Sequence, residues 1–187
     1  MEDELYKIIS EFVSITFEDI DRLLEKVKVK KLGRQDDFIT IGQKNDSVGF
    51  LRSGLLRSYF YDEKGNEQTT AFIEPSSFFS ELKSYQTSNP SERTIEAIES
   101  SEVLIINAKD FDYLRKNIPN WRTFEIKYFE KILKNKVDFQ RELTTSSKKE
   151  ALELFMNEYP YSAKFAPRQY IASFLGMTPY TLSRIKL

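Results

Sequence analysis

The chain has 187 residues, 28 Lys and Arg against 29 Asp and Glu for a net charge of -1, and 40% hydrophobic residues including 15 Phe and 10 Tyr, the profile of a folded chain with an aromatic core. The lack of Cys and His excludes disulfides, thiol catalysis, Cys-ligated zinc or iron–sulfur clusters, imidazole metal sites and serine hydrolysis through a His base. There is no run of about 18 apolar residues to cross a bilayer and no secretory signal at the acidic N-terminus, so a cytoplasmic protein with no membrane partner is expected.

Leu5, Ile8, Ile9 and Phe12 recur at helical spacing, and Ile20, Leu23, Leu24 and Val27 follow Thr16, a suitable N-cap, so two short helices lead the chain. From Val27 to Ile106 the pattern shortens to alternating apolar runs, VKVKKL, FITI, VGFLRSG, LLRSYFY, QTTAFI, RTIEAI and EVLII, separated by polar or Gly-bearing turns. The stretch LLRSYFYDEKGNEQTTAFI reads as a hairpin in which Gly65 and Asn66 tolerate positive φ. Evenly spaced short strands with no long helix between them predict a sandwich or jelly roll rather than a parallel α/β sheet.

Asn107, with Asp110 three positions on, predicts the N-cap of a short helix ending before Pro119. A long helix then begins near Asn120. Trp121, Phe124, Tyr128, Ile132 and Phe139, joined by Phe129, Leu133 and Val137, give it an apolar face broad enough to pack on the parent domain and to pair with a second copy. The TTSS segment offers N-caps for KKEALELFMNEY, whose packing face is Ala151, Leu152, Leu154, Phe155 and Met156.

APRQYIASFLGMTPYTLSRIK reads as a helix-turn-helix. Pro167 suits a first turn, Tyr170, Ile171, Phe174 and Leu175 form the buried side, Ala172 permits a close helix crossing, and Gly176 allows the tight turn. Thr178 caps the second helix with Pro179 at N1, Leu182 and Ile185 point inward, and Tyr180, Thr181, Ser183 and Arg184 face out. A helix entering the major groove needs short polar side chains near its start and a basic group that reaches a base edge, a role Arg184 fits best. From Pro160 to Leu187, Lys164, Arg168, Arg184 and Lys186 meet no acidic residue, giving +4 within a chain of net -1. A plain helical hairpin would share the glycine, but the buried positions, caps and acid-free surface together favour DNA. Arg168 and Gln169 are phosphate-positioning candidates, with ordinary solvated residues as the other reading.

The whole chain resembles the Crp/Fnr-type transcriptional regulators, in particular the compact Bacteroidetes-like branch whose helix-turn-helix carries a YIAS-LG-TP-TLSR pattern, here Tyr170 to Ser173, Leu175-Gly176, Thr178-Pro179 and Thr181 to Arg184. The resemblance implies an α+β chain: an N-terminal cyclic-nucleotide-binding-like β jelly roll (1–118), a long dimerisation helix (119–142) and a C-terminal helix-turn-helix of winged-helix type (143–187). Two departures stand out. Tyr180 occupies the position of the branch's usual acidic residue, which implies a different operator preference, and the chain stops three residues beyond Arg184, so the expected wing is missing or truncated.

In the family's sensing domain, a Glu holds the ribose and an Arg-Ser/Thr pair clamps the cyclic phosphate. The matching segment is PSSFFSELKSYQTSNPSERTIEAI, which by resemblance makes Ser80, Glu81, Leu82, Arg93 and Thr94 the ligand-binding candidates. Ser80 replaces the family Gly, Glu81 lies twelve positions before Arg93, Glu92 puts a like charge near the anion unless Arg93 pairs with it, and Phe78, Phe79 and Tyr85 fill the cavity or form core. Three readings stay open: cAMP or cGMP, another small effector, or a structural role without a ligand, with no cofactor required. The expected function is a homodimeric, sequence-specific regulator that binds double-stranded DNA at inverted half-sites, with RNA polymerase as a further candidate partner. The alternative is a ligand-binding or protein-interaction module that has lost DNA binding. An enzyme on a cupin-like roll lacks the His cluster such a site needs, so no catalytic or metal residues are expected.

Overall fold

The computed structural model describes residues 2–87 and 89–185. In chain order the elements are α1 (Glu2–Ser10), α2 (Phe17–Leu24), β1 (Lys28–Leu32), β2 (Asp37–Ile39), β3 (Ser47–Ser53), β4 (Leu56–Tyr61), β5 (Glu67–Ile73), β6 (Ser77–Phe79), α3 (Leu82–Thr87), β7 (Thr94–Ala97), β8 (Ser101–Asn107), α4 (Ala108–Asn117), α5 (Trp121–Thr145), α6 (Lys148–Glu158), α7 (Pro160–Phe165), α8 (Arg168–Phe174) and α9 (Pro179–Arg184). The strands form two four-stranded antiparallel sheets, ordered β1-β8-β3-β6 and β2-β7-β4-β5, that face each other as the expected jelly-roll sandwich.

Alternation explains why the central strands are apolar on both faces. Along β8, Val103 and Ile105 point into the sandwich with Leu32, Leu51, Leu56 and Ile95, while Leu104 and Ile106 point out beneath the helices. That outer face is covered by Leu5 and Ile9 of α1, Ile20 and Leu23 of α2, Phe111 and Leu114 of α4, and Trp121 and Phe124 of α5. Capping sets these helices as expected: the Thr16 hydroxyl accepts the Asp19 N–H and the Asp19 carboxylate accepts the Thr16 N–H, and the Asn107 side chain accepts the Asp110 N–H at 2.9 Å. At the β4–β5 turn only Gly65 takes positive φ (80°); Asp62 gathers the N–H groups of Lys64 and Asn66 instead, both at 2.9 Å. β6 and α3 interrupt the segment that the sequence pattern left without regular structure.

Gly54 closes the β3–β4 turn at φ 92°, and an added Cβ would fall 2.6 Å from the Ser100 carbonyl and collide with the Ser101 hydroxyl. Gly42 has a similar φ of 86° with nothing near it. Gly54→Ala therefore combines backbone strain with a clash, and its urea midpoint is expected to fall well beyond that of Gly42→Ala, which carries only the strain of about 1–3 kcal/mol. Equal midpoints would show that the turn relaxes around the new methyl.

A third core cluster joins the sandwich to the C-terminal helices, with Leu55, Phe72 and Ile98 meeting Phe139 of α5, Leu152 and Phe155 of α6, Ile171 and Ala172 of α8 and Leu182 of α9. Phe72, Phe155, Tyr159 and Phe174 form its aromatic centre, with ring centroids 5.4–6.5 Å apart where they pair with Phe72.

Candidate functional site

The α8–turn–α9 unit is shaped by local chemistry. Ile171, Ala172 and Leu182 are buried and Tyr170, Phe174 and Leu175 half-buried. Gly176 takes φ 64° to end α8, and the Met177 N–H reaches back to the Ala172 carbonyl at 2.8 Å. The Thr178 hydroxyl accepts the Thr181 N–H at 3.0 Å and Pro179 occupies N1, as expected. Pro167 sits one position earlier than expected, as the N-cap of α8 rather than inside its first turn. Thr178, Pro179, Tyr180, Ser183 and Arg184 are exposed, whereas Thr181 is half-buried with its hydroxyl 2.9 Å from that of Thr178. The Arg184 guanidinium lies 4.5 Å from the centre of the Tyr180 ring, so the two side chains form one stacked, exposed unit at the open face of α9. Arg168 and Gln169 are exposed at the start of α8, and Lys186 lies outside the described residues.

The same unit is fastened to the sandwich in a way the sequence reading did not foresee. The Ser173 hydroxyl of α8 accepts the Thr69 N–H at 2.9 Å and donates to the Glu67 carbonyl at 3.0 Å, satisfying two backbone groups of the edge strand β5. Beside it, Arg57 of β4 is 1% exposed, with its guanidinium 3.5 Å from the Tyr170 ring centre and 4.2 Å from that of Tyr59. Its Nη2 donates to Glu67 at 2.5 Å and to Glu96 at 3.4 Å. Burial works against the charge of Arg57, but Glu67 and Glu96 more than offset it and hold its pKa above the ordinary guanidinium value. The one sequence signal for this role was an arginine inside the otherwise apolar and aromatic run LLRSYFY.

Between the sandwich, α5 and the C-terminal helices lies a cavity of about 590 Å³. Ser80, Glu81 and Arg93 line it, as do Phe78, Phe79 and Tyr85, so those three rings are wall rather than core alone. The remaining ligand candidates are engaged elsewhere or not described. The Thr94 hydroxyl accepts the Ile41 N–H at 3.1 Å and is buried, and the Leu82 side chain lies outside the described residues. Glu81 is buried and its carboxylate accepts the Ser84 N–H at 2.7 Å, capping the first turn of α3. Ser80 bridges the Ser47 carbonyl at 2.9 Å and the Asn45 amide at 2.8 Å. Glu92 pairs with Lys83 rather than Arg93, and among the described residues the Arg93 guanidinium keeps a single long contact of 3.5 Å to the Thr70 hydroxyl. The cavity also takes in residues the sequence reading had not linked to a site, among them Lys136 and Phe139 of α5 and Phe174 of α8. Burial raises the Tyr128 phenol, whose oxygen accepts the Phe78 N–H at 2.9 Å, and at the opposite end burial with Glu158 and Glu74 pushes Tyr159 up to about 12.

No group of three or more carboxylates placed to hold a metal ion occurs among the described residues, and no described helix is long and apolar enough to cross a membrane.

Residues 29–117 match the family model of the cyclic nucleotide-binding domain. The chain is similar to the anaerobic regulatory protein of Haemophilus influenzae, 25% identical over 179 residues that make up 90% of this chain and 68% of that protein. It is likewise similar to the fumarate and nitrate reduction regulatory protein of Shigella dysenteriae, 26% identical over 181 residues, 90% of this chain and 70% of that one. In fold it resembles FixK2 from Bradyrhizobium japonicum, with a TM-score of 0.71 and 20% identity, covering 85% of this chain and 82% of that one.

Proposed function

Because the chain is homologous to the Crp/Fnr-type regulators and carries a cyclic nucleotide-binding domain over residues 29–117, we propose that it is a homodimeric, sequence-specific transcription regulator, cytoplasmic, with residues 1–118 as sensor, 119–142 as dimer helix and 143–187 as DNA reader. The observation that carries this reading is the open face of α9, on which Thr178, Tyr180, Ser183 and Arg184 stand exposed, the helix capped by Thr178 and set off from α8 by the Gly176 turn. Arg184 serves as the base-reading group, Arg168 and Gln169 contact phosphate, and two copies bind inverted half-sites about one helical turn apart. An unbiased duplex selection at low salt tests it. Enrichment of a two-fold symmetric site supports the reading, and recovery of unselected sequence would leave a ligand-binding or interaction module instead.

The dimer rests on α5. Ile126, Phe129, Leu133 and Val137 recur at three- and four-residue spacing and are 52%, 45%, 64% and 56% exposed in the single chain, an apolar stripe with no partner within it. Leu133→Glu puts a charge on that seam without disturbing a buried contact. The variant is expected to run as a monomer by light scattering and to lose about 100-fold or more in duplex affinity, since two linked half-site contacts become one. A dimer of unchanged affinity would move the interface elsewhere.

A further inference from the structure

We propose that the cavity between the sandwich and α5 binds an organic monoanion with an apolar body, such as a long-chain or aromatic carboxylate, its acid group held at the rim by Arg93 and Lys136. The inference deepens the sensor reading above and rests on it.

The cavity is two-faced. Its walls are aromatic and aliphatic, with Phe72, Phe78, Phe124, Ile132, Phe139 and Phe174 contributed by the sandwich, α5 and α8. Many of the polar groups around it are already committed, Asn135, Gln140 and Glu158 on the α5–α6 side apart. Glu81 caps α3, Ser80 bridges Asn45 and Ser47, Tyr128 accepts the Phe78 N–H, Lys83 pairs with Glu92, and Glu125 forms a two-pronged pair with Arg115 at 3.0 Å. Two cations remain. Arg93, from the β7 end of the sandwich, and Lys136, from α5, both line the cavity and both are exposed at its edge, and among the described residues neither has an ion-pair partner. Desolvation at the wall, with a lesser contribution from the charge of Arg93, holds the Lys136 ammonium below the ordinary lysine value. Glu158 also lines the cavity, on the α6 side facing Phe139 of α5, and forms no ion pair among the described residues.

This arrangement fits a carboxylate better than a sugar phosphate. A ribose and a purine edge need several uncommitted hydrogen-bonding groups, because a polar atom buried without a partner costs about 1–3 kcal/mol. Here the carboxylate aligned with the sugar is occupied in capping α3, the Thr94 hydroxyl is taken by the Ile41 N–H, and the walls offer rings and alkyl chains. An apolar body gains from those walls, while a single negative charge at the rim answers both cations. A ligand so placed touches the sandwich, α5 and α8 at once.

Calorimetric titration of the full-length chain with octanoate, dodecanoate and 2-naphthoate, each against its primary amide, tests the proposal, with duplex binding measured on the same preparation. At least one acid is expected to bind saturably at one per chain and about tenfold or more tighter than its amide. Arg93→Gln and Lys136→Gln, both at exposed positions and checked by thermal melting, are expected each to erase most of that preference for the acid. Binding of none of the acids, equal binding of acid and amide, or an unchanged preference in both variants overturns the proposal. If the acids fail while the duplex still binds, only the ligand class falls. If the duplex fails while an acid binds, the regulator reading falls and the site stands.

Discussion

Arg184→Ala is expected to lower affinity for the preferred duplex by about 10- to 100-fold, the worth of a bidentate base contact, while its affinity for a scrambled duplex changes far less. The reasoning begins with exposure. Arg184 is exposed and, among the described residues, its guanidinium stacks on the ring of Tyr180 at 4.5 Å, so its removal leaves Leu182, 1% exposed, in place beneath α9. The thermal midpoint should therefore hold within the range of a surface change, about 0.5 kcal/mol or less. Arg168→Ala gives the contrast: a phosphate contact weakens both duplexes alike and lowers the salt slope by about one charge. Fluorescence anisotropy with both duplexes at several salt concentrations separates the two classes. Equal losses for Arg184→Ala on both duplexes would demote it to a phosphate contact, and no loss on either would favour the interaction-module reading. Tyr180→Ala extends the test, because the ring that stacks on the guanidinium also stands at the position where the sequence resemblance implies an acid. It is expected to shift base preference rather than abolish binding.

Features encoded by neighbours in sequence were readable in advance, and those encoded by distant partners were not. Thr178, Pro179 and Gly176 announce α9 and its turn because a cap, an N1 proline and a left-handed glycine act within a few residues. The jelly roll was legible for a similar reason: β8 and β3 alternate between two apolar faces, a pattern visible along one strand. α3 escaped notice because LKSYQT has no helical apolar period and its cap is Glu81, a residue the resemblance had reserved for a ligand. β6 is three residues long, and its partner β3 lies well upstream. At the site, Glu81 and Arg93 both line the cavity, but Thr94 turns away to Ile41, because a strand residue beside Arg93 points to the opposite face. Lys136 is invisible to local reading, since only the packing of α5 over the sandwich brings it to Arg93's cavity. Ser173 looked like one more position of the helix-turn-helix pattern, yet its hydroxyl is bonded across to Thr69 and Glu67, over a hundred residues earlier in the chain.

The attachment of α8 to the sheet yields the second large effect. Arg57→Ala is expected to destabilise the protein by about 3–5 kcal/mol, because it leaves the buried carboxylate of Glu96 without its counter-charge and empties the space between Tyr59 and Tyr170. For a chain of this size that amounts to a fall of about 10 °C in Tm. If the unpaired charge dominates the loss, Arg57→Met combined with Glu96→Gln should recover much of it, since neither replacement leaves a buried ion alone. Tyr170→Ala removes only the α8 side of the stack, and there the consequence is connectivity. Trp121, the single tryptophan, is 1% exposed in the core under α1, α2 and α4, so its fluorescence reports the sandwich unit, while α6 to α9 supply about a third of the helical signal in far-UV circular dichroism, enough to register as a separate step. In the native chain the two signals should melt together, because the Phe72–Phe155 contact and the hydrogen bonds of Ser173 to β5 tie the units into one cooperative block. In Tyr170→Ala the dichroism should fall first, with the tryptophan transition following at a higher temperature. Coincident transitions in that variant would mean that the Phe72 cluster alone holds α6 to α9 to the sandwich, and that the arginine stack contributes stability without governing how the two units move.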